Sequence, residues 1–239
     1  MGGDALLAAT PLREASTPTA TYRLQFHAGF TFRDAERLVP YLHALGVSHV
    51  YCAPYLKARA GSAHGYDITD HNALNPEVGD EESLSSFVDA MRRHGMGQIL
   101  DFVPNHVGIG GHENLWWQDV LEYGQSSPYA EFFDIDWEPA KAELRRKVLV
   151  PFLGHHYGQV LERGELELRF DSVAGSLSVW YHEHRFPIAP RTYPRVLDWR
   201  SGELEQGGSP DDPDLADLRP VLQAFRELAH HGRSSSNAP

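Results

Sequence analysis

Cysteine is almost missing from this chain. Cys52 stands alone among 239 residues, so no intrachain disulfide can form, and the reducing cytoplasm is the expected compartment. Long apolar runs are missing too, and nothing approaches the roughly 18 or more consecutive apolar residues of a membrane span. The opening "MGGDALLAATPLREASTP" lacks the basic start and the long apolar stretch of a signal peptide, and reads as a flexible leader over residues 1–18. Positive charge is scarce. Lys+Arg number 21 against 33 Asp+Glu, a net charge of −12, which repels nucleic acid and anionic membrane and suits a neutral or cationic ligand. A glycine-rich phosphate turn is absent as well: where a dinucleotide fold would carry G-x-G-x-x-G, this chain has "HAGFTF" with a lone glycine.

What remains is a globular composition, 41% hydrophobic and 11% aromatic, enough for a substantial core. From Thr19 the pattern becomes regular. "TATYRLQF" alternates as a strand, and "FRDAERLVPYLHALG" has helical spacing, with Gly46 in the C′ position and Pro40 placed to kink it. "VSHVYCAPY" is a β-branched strand closed by Pro54, followed by a long polar loop to about Asp80. "EESLSSFVDAMRRHG" is a second amphipathic helix, acidic at its start and basic at its end, as the helix dipole favours. "MGQILDFVPNH" is a third strand. The order β-α-β-α-β with crossovers of this length implies parallel neighbouring strands in an α/β fold. Without a dinucleotide turn, a (β/α)8 barrel is the better expectation than a doubly wound sheet.

After the third strand the rhythm breaks. Short helices and aromatic loops lead into "GQVLERGELELRFDSVAGSLSVWYHEHRF", which alternates like a β-hairpin with Ala174-Gly175 near its turn. The expected organisation is a leader (1–18), the first three βα units of a barrel (19–106), an inserted subdomain (107–190) and a tail (191–239) holding one helix, "DPDLADLRPVLQAFRELAHH".

The stretch "QILDFVPNHVG" raises the functional question. Its ladder should end at Val103, because Pro104 has no N–H to donate and restricts its predecessor. Asp101, Asn105 and His106 would then lie at or beyond the C-terminal end of a parallel strand, where chemistry collects in such folds. The "HGYD" segment, with Tyr66 and Asp67, lies on the preceding βα loop and would share that rim.

These residues resemble a known family. "HGYDITDH", "ILDFVPNH" and a large insertion after the third strand resemble the α-amylase clan, glycoside hydrolase family 13. "TYRLQFHAGFTF", "GVSHVYCAPYLKARAGSAHGYDITDHN", "WWQDVLEYGQSSPYAEFFDIDW" and "WYHEHRFPI" are similar to the N-terminal part of the maltooligosyltrehalose synthases, over about Thr19 to Arg200. The resemblance implies an enzyme that isomerises the reducing-end α-1,4 bond of a maltooligosaccharide to an α,α-1,1 bond, with a maltooligosaccharide as partner and no cofactor. It implies that Tyr66 is the aromatic platform under the sugar at the cleaved subsite and that Asp67 bonds the sugar's hydroxyls. His106 matches a histidine that hydrogen-bonds the same sugar, and Asp101 a carboxylate that orients an active-site arginine. Asn105 matches a position that binds structural calcium in many amylases; no metal is expected here. The residue types suit the task, since a neutral His, an ionised Asp and a Tyr face can hold a glucosyl ring unaided.

The clan's nucleophile lies in an R-x-D segment on a later strand and its acid is a Glu on a strand later still. The one R-x-D here, Arg169 to Asp171, falls in the predicted hairpin, so neither catalytic carboxyl is expected in this chain, which reads as a truncated, inactive fragment. Alternatives are an α-amylase-type hydrolase using the same rim, and a non-catalytic glucan-binding module. Taken alone, Asp101 would be a structural strand-end carboxylate, and Asp70-His71 a loop-ordering pair. His182 and His184 share a face if both lie on a strand and invite a metal reading, but a surface cluster is the better one. Trp116-Trp117 could stack on sugar, although subdomain core is the simpler role. Oligomeric state is not legible.

Overall fold

The computed structural model describes residues 17–199 and 220–227. Most of the expected leader, and the expected tail helix apart from residues 220–227, which are helical, lie outside the described residues. Two compact units divide at the Ile109–Gly110 bond.

The first unit is α/β. Its elements are β1 (Thr21–Leu24), α1 (Phe32–Ala44), β2 (His49–Cys52), β3 (Leu56–Ala58), β4 (Ile68–Leu74), α2 (Glu81–Arg93) and β5 (Gly97–Leu100). Strands β1, β2 and β5 form a parallel sheet in that order, with Arg23 opposite Tyr51 and Tyr51 opposite Ile99. Two helices cover one face. α1 begins where Thr31 donates its backbone N–H and hydroxyl to Asp34, at 2.9 and 2.7 Å, and buries Phe32, Ala35, Val39 and Leu42. Pro40 is accommodated inside this helix, which runs through it unbroken. α2 starts at Asp80, whose carboxylate accepts from Ser83 N–H at 2.9 Å, and buries Phe87, Ala90 and Met91. Against these faces lie Leu24, Val50 and Cys52 of the strands, together with Phe26 and Tyr55. The Phe26, Phe32 and Phe87 rings are fully buried, and burying each contributes about 1.5–3 kcal/mol. Because side chains alternate along a strand, Arg23, Tyr51, Ile99 and, two residues on, Asp101 point to the other face.

Two expectations for this unit need correction. The third strand ends at Leu100 rather than Val103. Its partner β2 stops at Cys52 ahead of Pro54, so after Asp101 N–H bonds Cys52 C=O at 2.9 Å the ladder has no further edge to pair with. The polar segment before Asp80 is not all loop: β3 and β4 form an antiparallel ribbon with two register shifts, irregular enough to hide the period-2 signal.

The second unit carries α3 (Leu115–Tyr123), α4 (Tyr157–Glu162), β6 (Leu166–Asp171), β7 (Ser176–Tyr181), β8 (His184–Pro187) and α5 (Tyr193–Leu197). β6, β7 and β8 make an antiparallel sheet. The predicted hairpin is therefore shorter at its start, where residues 157–162 are helical, and longer at its end. His182 and Glu183 form the two-residue β7–β8 turn, with His182 at φ 51°. Since His182 sits in the turn and His184 on the strand, the shared face that a chelating pair would need does not exist.

Candidate functional site

The C-terminal ends of β1, β2 and β5 gather a polar cluster whose hub is Asp101. Its Oδ2 accepts from the Tyr66 hydroxyl at 2.6 Å and from the Tyr51 hydroxyl at 2.9 Å, and Arg23 Nη1 lies 3.9 Å away. Arg23 Nη2 donates to the Tyr66 oxygen at 2.9 Å and to Gln25 Oε1 at 3.0 Å. Gln25 Nε2 in turn donates to His64 C=O at 3.0 Å. A guanidinium only donates, so the Tyr66 oxygen accepts from Arg23 and its single proton goes to Asp101. The Arg23 guanidinium also lies 5.4 Å from the Tyr51 ring centre and 5.9 Å from that of Tyr66. Bonding to the Tyr66 oxygen raises the Arg23 pKa above its ordinary value, and the carboxylate of Asp101 raises that of Tyr51, with burial adding to the effect.

The loop presenting Tyr66 and Asp67 is shaped by close backbone contacts. Gly65 has φ +74°, and a Cβ there would lie 2.3 Å from Pro54 C=O, so glycine alone fits. Gly108 N–H donates to Ile68 C=O at 2.7 Å, and a Cβ on Gly108 would lie 2.7 Å from Asp67 C=O. Asp67 accepts a short hydrogen bond from Ser62 Oγ, while Ser62 Oγ itself receives Gly65 N–H at 3.1 Å. His64 Nδ1 takes the Tyr66 N–H at 3.1 Å and stands 3.8 Å from Asp67 Oδ1.

The five anticipated residues thus fall into three groups. Tyr66 and Asp101 are bonded directly. Asp67 is held by Ser62 on the same loop. His106 and Asn105 form an exposed pair of their own, with His106 Nδ1 at 3.1 Å from Asn105 Oδ1. Among the described residues no three His, Cys, Asp or Glu side chains converge to hold a metal. His71, read as loop-ordering, has Nε2 3.1 Å from Val103 C=O and so ties β4 to the segment after β5.

Arg23, Gln25, Tyr51 and Ser62 were not anticipated. A usable signal existed for Tyr51 alone, a tyrosine among the otherwise buried positions of β2. In the second unit, Asp171 Oδ1 accepts Val173 and Ala174 N–H at 2.9 and 3.0 Å. The R-x-D carboxylate is thus occupied in capping a hairpin turn. Trp117 is 4% exposed, and Trp116 stacks on Tyr129 at 5.5 Å, so the aromatic pair serves packing. No helix among the described residues is long and apolar enough to cross a membrane.

Similarity to known proteins bears on this cluster. The chain is 42% identical over 226 residues to a Mycobacterium tuberculosis (strain H37Rv) protein assigned as a maltooligosyl trehalose synthase, a match covering 88% of this chain and 28% of that one. The structure of maltooligosyltrehalose synthase from Arthrobacter ramosus aligns with TM-score 0.61 at 44% identity, covering 72% of this chain and 21% of that one. A 1,4-alpha-glucan branching enzyme of Rhizobium meliloti is 29% identical over 66% of this chain and 22% of its own length. The chain therefore spans between a fifth and three tenths of each of these relatives. The pattern of the alpha amylase catalytic domain matches residues 35–162, more than half of the chain, which belongs to the alpha-amylase catalytic-domain family.

Proposed function

We propose that this chain is the N-terminal part of a maltooligosyltrehalose synthase, contributing the first three βα units of a (β/α)8 barrel and the subdomain inserted after the third strand. In this reading residues 19–106 belong to the barrel and residues 107–190 to the insertion. The enzyme converts the reducing-end α-1,4 bond of a maltooligosaccharide to an α,α-1,1 bond by intramolecular transglucosylation. The observation that carries the reading is the Tyr66–Asp101 hydrogen bond at the C-terminal end of parallel strands, in a chain with close synthase relatives.

The chain's part in the chemistry is binding. Tyr66 offers its ring as a platform to the C–H face of a glucosyl unit. Asp67 accepts from the sugar's hydroxyls, and His106, exposed beyond β5, takes or gives one more hydrogen bond. The clan's retaining mechanism needs two carboxyl groups about 5–5.5 Å apart. The Asp171 carboxylate caps its own turn, and the resemblance implies a nucleophile and acid/base on strands later than those of this chain. Isomerisation then requires that water be excluded and that the released glucose turn so that its own anomeric hydroxyl attacks. The proposed partner is the glucan, with no nucleic acid or membrane, and the proposed location is cytoplasmic.

The test replaces the matching segment of the Arthrobacter ramosus synthase with this chain and supplies maltopentaose. Loss of reducing ends without shortening supports the reading. New reducing ends would instead indicate an α-amylase-type hydrolase.

A further inference from the structure

The described surface offers other features, including an arginine-lined groove between α1 and α2 and apolar side chains exposed along β6, but neither comes with a partner. Arg23 and Gln25 do. We infer that Arg23 and Gln25 are positioning residues for Tyr66, a clamp at the C-terminal end of β1 that fixes the sugar platform by its hydroxyl and by the backbone of its loop. This rests on the reading of Tyr66 as that platform.

The backbone before Tyr66 is held close to Pro54 at Gly65, but a side chain's direction also depends on its own torsions. Three groups set the direction of the ring. Asp101 accepts the hydroxyl proton, Arg23 donates to the hydroxyl oxygen, and Gln25, itself bonded to Arg23, donates to His64 C=O two residues before Tyr66. Arg23 lies on β1 and Gln25 one residue past its end, and their side chains are bonded to each other and reach the same loop together. The guanidinium engages two acceptors through Nη2, and its planar fork holds that geometry in a way one ammonium cannot. Neither residue needs to touch the sugar to act: a ring left free to swing on a loop spreads its stacking contact over several orientations.

The experiment titrates maltopentaose into purified residues 1–239, reading tyrosine-ring and amide chemical shifts, with an unfolding midpoint recorded for each variant. Arg23→Ala is expected to weaken affinity about tenfold, the scale of one lost charge-assisted hydrogen bond, with Arg23→Lys intermediate and Gln25→Ala weaker than wild type. Arg23→Ala in a Tyr66→Phe background should change affinity less than about twofold, because the hydroxyl it acts through is already gone. An equal loss in both backgrounds overturns the inference, since Arg23 would then act elsewhere. So does wild-type affinity in Arg23→Ala while Tyr66→Ala abolishes binding, an outcome that leaves the platform reading intact. If Tyr66→Ala binds like wild type, or the unmodified chain shows no saturable shift, the platform reading itself falls and the inference with it. Should Arg23→Ala fail to fold, the same cycle is run with Arg23→Lys.

Discussion

Tyr66 and Asp101, 35 residues apart in sequence, share one proton-directed hydrogen bond of 2.6 Å. It joins the loop after β3 to the first residue beyond β5. The Tyr51 hydroxyl converges on the same oxygen, so Asp101 Oδ2 is saturated by two phenols.

That convergence has a pH signature. Asp101 as acceptor holds the Tyr51 phenol above its ordinary value, so the stabilisation from this pair is fully present below the ordinary tyrosine range near pH 10 and is lost as pH rises through the raised folded value. In Asp101→Asn the Tyr51 titration should move back down toward that range. Ultraviolet difference titration of wild type and variant checks it, and an unmoved Tyr51 would mean that the carboxylate is not the cause.

Cys52 is buried beside Gln98, whose amide donates to its sulfur at 3.2 Å. Burial pushes its thiol up from 9.0 to about 11, which at neutral pH leaves about a hundredfold fewer thiolates than an ordinary cysteine. The folded protein should resist alkylation at pH 8 and react promptly once unfolded. Fast labelling under native conditions would contradict the burial.

Gly65→Ala should be destabilising by roughly 1–3 kcal/mol, because it combines a positive φ with a collision against Pro54 C=O. Gly46→Ala is the comparison. Its φ is +88°, but the space around it is open, so only the backbone strain of about 1–2 kcal/mol applies. Denaturant melts of both variants give the ordering, and an equal effect would show that the Pro54 contact relaxes freely.

In the enzyme carrying this chain in place of the Arthrobacter ramosus segment, Asp67→Asn and His106→Ala should each lower turnover by about two orders of magnitude, the scale of a lost transition-state contact. Steady-state rates on maltopentaose decide, and near-normal rates in both folded variants would remove these residues from the site.

The parallel α/β core was legible because its signals are local. Thr31-x-x-Asp34 and Asp80-x-x-Ser83 mark helix starts, and the buried positions of α1 and α2 follow helical spacing. Pro54 and Pro104 both announced strand ends, yet the ladder closed at Leu100 because β2, not β5, ran out of pairing edge. That is a fact about a partner strand, which no single stretch of sequence contains. The β3–β4 ribbon escaped notice since its register shifts break the alternation. The candidate site was half visible: Tyr66, Asp67, Asp101, Asn105 and His106 sit in short recognisable strings, whereas Arg23 and Tyr51 meet only through register, which brings residues far apart in sequence onto one face, with Gln25 just past the end of β1.

The central claim is that a glucosyl unit sits on the rim formed by the ends of the parallel strands. The most direct measurement is a map of backbone amide shifts in residues 1–239 as maltopentaose is added. The account predicts that the largest saturable changes fall at Tyr66, Asp67, Asp101 and His106. Changes confined to the Trp116–Trp117 segment or to β6, β7 and β8, with the rim unmoved, would contradict it.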